Sequence, residues 1–179
     1  MKYLADIKST FDSIVFEWDE TKSNIQNVHE FTELFLKITD PYNKISTRVS
    51  EHTMRTIKIA ERLMNKEIAD KEIVIITLLL HDISKTVCDN SHNLVSHRLA
   101  EILFEKYPYV DKKKKKILDC ILYHSAKDID SLDLTKLQVL DWNVSFKYIK
   151  YLIVINYYTK LTFYFINHNN LTKNIRCSI

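Results

Sequence analysis

His81 and Asp82 stand side by side at the end of a strongly apolar run, Ile73-Val74-Ile75-Ile76-Thr77-Leu78-Leu79-Leu80. Asp141 closes a second apolar stretch that holds Leu132, Leu134, Leu137 and Leu140. His52 precedes both, and His124 lies between them. Imidazoles and carboxylates on core-facing positions are costly unless something compensates them. A divalent transition ion would do so, and would leave coordination positions for water and substrate. Such an ion would also make the protein an enzyme, because a bound cation acidifies its water towards a pKa of about 7. A covalent nucleophile is not indicated. Ser125 follows His124 in the chain, and adjacency does not make a dyad.

The elements that must carry these groups are helical. Phe11, Ile14, Val15 and Trp18 form one apolar stripe, and Phe31, Leu34, Phe35 and Ile38 another, so residues 1–44 read as one or two helices. Asp40-Pro41-Tyr42-Asn43 breaks them. A long helix follows from about Ser50, with His52, Thr56, Ile59, Ala60, Leu63 and Met64 on one face. Residues 70–84 form the next segment, with Asp70 as N-cap. Its β-branched run also suits a strand, but its helical neighbours and the absence of glycine favour a buried helix. Helices are expected over 95–107, 112–125 and 131–150. Their stripes carry Val95, Leu99, Ile102 and Leu103; then Ile117, Cys120, Ile121 and His124; then Leu134, Leu137, Asp141, Val144 and Tyr148. Residues 151–166 are dense in β-branched and aromatic side chains, and 167–179 are polar.

Composition narrows the class. The chain has 179 residues, no glycine and two prolines, where average usage is roughly 7% and 5%. Tight-turned sheets and glycine-rich phosphate loops are therefore disfavoured, and with them kinase and P-loop chemistry. A net charge of +3 is far from that of a dedicated nucleic-acid binder. The basic run Lys112–Lys116 reads first as a solvated helix start. The 151–166 segment is shorter than the roughly 20 apolar residues of a membrane span, and Lys160 interrupts it. Cys88, Cys120 and Cys177 lack metal-type spacing, and an odd count suggests reduced thiols and a cytoplasmic location.

The stretches EHTMRTIKIAERL (His52), LLLHDISK (His81, Asp82) and LQVLDWN (Asp141) resemble, in that order, the HD superfamily of metal-dependent phosphohydrolases. The resemblance covers about residues 48–146 and implies an all-α fold, a single helical domain with its metal site at the centre of the bundle. It divides the chain into an N-terminal helical extension (1–44), an HD-type domain (45–150) and an atypical C-terminal tail (151–179). Many members carry His-Asp-Ile-Gly-Lys where this chain has Ser84 in place of the glycine. Many also follow the last aspartate with a charged residue and a leucine, where Trp142-Asn143 stand here.

The resemblance further implies His52, His81, Asp82 and Asp141 as ligands of a divalent transition metal (Mn, Fe, Co, Ni or Zn). His97 and His124 match the positions that recruit a second ion, with His92 competing with His97 for the first of these. Asp82 and Lys85 are the expected catalytic residues. Lys85 and Arg55 are expected to contact the substrate phosphate, Arg48 being a weaker candidate. The expected function is a phosphohydrolase, cleaving a phosphate mono- or diester of a nucleotide or related small molecule by attack of metal-bound hydroxide. Two alternatives stand beside it: a catalytically degenerate HD-fold binding or scaffold protein, and a di-iron oxygenase.

Overall fold

The computed structural model describes residues 8–64, 70–88, 90–107, 109 and 111–124. The expected helix over 131–150, its Asp141 and the tail 151–179 lie outside the described residues.

The described chain is all-α, with no strand among these residues. After a helical stretch at 8–12 come α1 (Asn24–Thr39), α2 (Ser46–Met64), α3 (Lys71–Leu80), a 3-10 turn (Ile83–Thr86), α4 (His92–Lys106) and α5 (Asp111–Tyr123). Local chemistry sets the starts. Ser23 and Gln26 form a reciprocal capping box on α1. Asp70 caps α3 by accepting the Glu72 and Ile73 amides. The helix expected from Ser50 begins four residues earlier, because Asp40 accepts the N–H groups of Ile45 (2.6 Å) and Ser46 (2.8 Å) at its entry. These bonds hold the Asp40 carboxyl down at about 2. The preceding turn puts Asn43 at φ 55, a left-handed conformation that asparagine tolerates.

Helix α3 is the centre of the molecule. Every residue from Ile73 to Leu80 is buried, and α3 packs on α1, α2 and α5. Helices α4 and α5 lie against each other, and the 3-10 turn is wedged against α4, α1 and α2. Phe11, Phe31 and Phe35 belong to the same core as Leu80, Leu99, Ile117 and Ile121, so α1 is an integral part of it. Two stripe members fall outside that core. Val15 is 89% exposed because the first helical stretch ends before it, and Ile38 is 41% exposed on the last turn of α1. A polar knot ties the start of α3 to its neighbours: Glu72 accepts from Asn24 Nδ2 (2.7 Å), Tyr109 Oη (3.1 Å) and Lys113 Nζ. Lys113 also pairs with Asp70 at 3.2 Å.

Candidate metal centre

The apolar run does not continue through residue 84 as one helix. It ends at Leu80, and His81 still donates its backbone N–H to Thr77 O at 2.8 Å. Asp82 then takes φ −113 and ψ 5, and the 3-10 turn begins. This break projects His81 and Asp82 from the end of the most buried helix. Ser84 lies inside the 3-10 turn with no positive φ, so glycine is not required there.

Asp82 is the hub of the site, and histidines face both of its oxygens. Oδ2 faces His52 Nε2 at 3.5 Å, His81 Nε2 at 3.4 Å and Lys85 Nζ at 2.6 Å. Oδ1 faces His92 Nε2 at 3.3 Å and His124 Nε2 at 3.5 Å. Within each pair the histidine nitrogens also approach, His52 to His81 at 3.4 Å and His92 to His124 at 3.2 Å. The result is two groups with metal-ligand spacing, His52–His81–Asp82 and Asp82–His92–His124, sharing one carboxylate.

The donor set fits a cation. His81 Nδ1 lies 2.8 Å from Leu78 O, and His124 Nδ1 lies 2.6 Å from Ile121 O. A carbonyl only accepts, so each Nδ1 carries a proton and each ring turns its Nε2 to Asp82. A backbone carbonyl behind the ring is the usual outer support of a metal-binding histidine. Asp82 Oδ1 is buried without a hydrogen bond, and a buried carboxylate oxygen needs a partner. A cation between His81 Nε2 and the acceptor-only carboxylate would relieve the repulsion between their lone pairs.

Electrostatics agree. Burial pushes His81 down to about 3, so its ring is neutral at neutral pH. Burial also lowers His52, with opposition from Asp82 and help from Lys85 and Arg55. Burial alone would raise Asp82, but His81, which is charged only in acid, the hydrogen bond from His124 and the Lys85 ammonium outweigh it and hold the carboxyl below its usual range. The Lys85 ammonium is in hydrogen-bonding contact with that carboxylate.

The residues expected from sequence divide clearly. His52, His81, Asp82, Lys85 and His124 converge. Asp141 lies outside the described residues. His97 joins neither group; its Nδ1 faces Glu101 at 3.8 Å on α4. His92, five residues earlier, stands in the second group instead. The signal for it in the sequence was the polar cluster Asp89-Asn90-Ser91 just before His92, where α4 begins, three residues ahead of Val95. Arg55 lies one turn along α2 from His52, 3.9 Å from Glu51.

A separate groove of about 350 Å³ opens between α1, α2 and α3. Ile25, Met54, Ile57, Ile75 and Leu79 dominate its wall. Neither metal-type group lines it, so its size does not make it the reactive site.

A sequence model of the HD domain matches residues 49–142, just over half of the chain. The chain belongs to the HD-domain family. HD domains bind divalent metals, and the family's members are commonly hydrolases acting on phosphorylated substrates. No curated protein and no solved structure matches this chain. Among the described residues, no helix of this HD protein is long and apolar enough to cross a membrane.

Proposed function

We propose that this HD protein is a metal-dependent phosphohydrolase with a two-ion centre, acting on a phosphate mono- or diester of a nucleotide or related small molecule. The observation that carries the reading is the pair of histidine groups built on opposite oxygens of Asp82. Ions of a divalent transition metal at such a centre supply an acidified water and polarise the phosphoryl group. His52, His81 and Asp82 would hold one ion, with Asp141 completing the set; Asp82, His92 and His124 would hold the other. His92 replaces His97 in this assignment.

The remaining roles belong to cations of the chain. Lys85 is partly exposed while its ammonium reaches Asp82 Oδ2 at 2.6 Å, so it can meet a phosphate oxygen at the edge of the site and offset charge as the ester bond breaks. Arg55 would hold a second phosphate oxygen from α2. Asp82, held as a carboxylate by its neighbours, orients the centre by serving both halves of it.

A panel of phosphate mono- and diesters with Mn, Co, Ni, Fe or Zn tests this reading. Turnover that requires metal and disappears in Asp82→Ala supports it. Bound metal without turnover on any ester would instead favour a binding or scaffold role. Iron with a visible absorption band and oxygen consumption would favour oxygenase chemistry.

A further inference from the structure

Ser84 sits between the shared carboxylate and the helix that presents His92. Ser84 and Ser96 are both wholly buried. Ser84 Oγ lies 2.8 Å from His92 O and 2.9 Å from Ser96 Oγ, while the Ser84 backbone N–H donates to Ser96 Oγ at 3.3 Å. Proton counting fixes the directions. A carbonyl only accepts, so the Ser84 hydroxyl donates to His92 O. The Ser96 hydroxyl must then donate to Ser84 Oγ, and Ser96 Oγ accepts from the Ser84 amide. Each buried hydroxyl thus both donates and accepts, as a buried network requires.

The carbonyl held in this way belongs to His92, whose Nε2 faces Asp82 Oδ1 at 3.3 Å. Ser84 lies two residues beyond Asp82. One side chain therefore locks the segment carrying Asp82 to the first residue of α4. Ser91 gives that helix start no side-chain cap. On the other side, Asn93 Nδ2 donates to Leu122 O at 3.0 Å, two residues before His124. The first turn of α4 is thus braced towards both other members of its group.

We propose that Ser84 is a positioning residue for the Asp82–His92–His124 group, setting the placement of His92 and so the affinity for the ion that this group would hold. The inference rests on the two-ion reading above. A glycine or alanine at position 84 offers no hydroxyl to His92 O.

The test is titration of the metal-free full chain with Co(II), following bound ion and absorbance, for wild type, Ser84→Ala, His92→Ala and the double variant. Wild type should bind two ions. Ser84→Ala should bind one ion with unchanged affinity and the other roughly 10-fold or more weakly, the usual scale for losing an outer support of a metal ligand. The double variant should bind like His92→Ala alone, because Ser84 acts through His92. Two unchanged affinities in Ser84→Ala, or equal weakening of both ions, would overturn the inference while leaving the two-ion reading intact. A wild type that binds a single ion would overturn that reading and the inference together. Ser84→Gly, which brings the residue many family members carry here, serves under the same criteria should Ser84→Ala not fold.

Discussion

His81 and His124 meet edge to face, with ring centroids 4.9 Å apart and planes at 87°, and each presents Nε2 to a different oxygen of Asp82. Both rings are anchored by Nδ1 to the carbonyl three residues earlier, one just beyond α3 and the other just beyond α5. The same local device, used at two helix ends, produces a pair of preset donors. Packing of α3 on α5 brings those ends together.

Removing the hub should therefore remove the metal. His81→Ala and Asp82→Ala should each lower metal affinity by well over 10-fold, since loss of even an outer support costs about 10–100-fold. Elemental analysis of purified variants checks this. Wild-type metal content in either variant would mean that the two residues are not ligands.

The two α4 histidines should behave differently. His92→Ala should lose one of two ions, whereas His97→Ala should keep both, because His97 faces Glu101 at 3.8 Å. Metal-to-protein ratios measured side by side decide between them, and a reversed result would restore His97 to the site.

Asp141→Asn should weaken the ion held by His52, His81 and Asp82 while sparing the other. The motive is a carboxylate on an apolar stripe with Leu134, Leu137 and Val144. If metal binding stays intact and the metal-free protein loses about 3–5 kcal/mol, the residue is one partner of a buried structural pair.

Ile76→Ala should destabilise the fold by about 2–5 kcal/mol, since Ile76 is wholly buried in α3. Urea unfolding with metal removed measures it. A loss below about 1 kcal/mol would show that α3 is less tightly packed than its burial indicates.

Asp40 gives a pH signature remote from the histidines. Its carboxyl is lowered from 3.8 to about 2 by the amides of Ser46 and Ile45. A depressed folded-state value adds stability that is fully present above 3.8 and fades as pH falls towards 2. Asp40→Asn should thus melt below wild type near neutral pH, with the gap closing in acid. Melting curves across the acid range check it, and a gap independent of pH would refute the charge-based account.

Much of this was legible in the residues. The Asp70 cap and the apolar run marked α3, and the stripe Ile117, Cys120, Ile121, His124 is buried as its spacing predicts. What periodicity did not deliver was the choice between His92 and His97. Five residues turn a helix by about 140° beyond a full circle, so the two imidazoles cannot share a face. Choosing between them requires knowing how α4 is rotated against Asp82, which tertiary packing decides. Val15 failed for a related reason: its stripe assumed a helix that stops before it. Ser84 read as a departure from the family pattern, and its bond to His92 O crosses elements that no local spacing connects.

The burial of α3 from Ile73 to Leu80 also bears on how the centre comes apart. Amides of a helix enclosed on every side exchange with solvent mainly through global opening, whereas those of frayed or exposed segments exchange locally. His81 and Asp82 follow directly on that buried segment, while Arg55 and Lys85 are partly exposed. On the proposed function, exchange of substrate at that cationic rim and loss of ions held deeper in the site would then follow separate clocks.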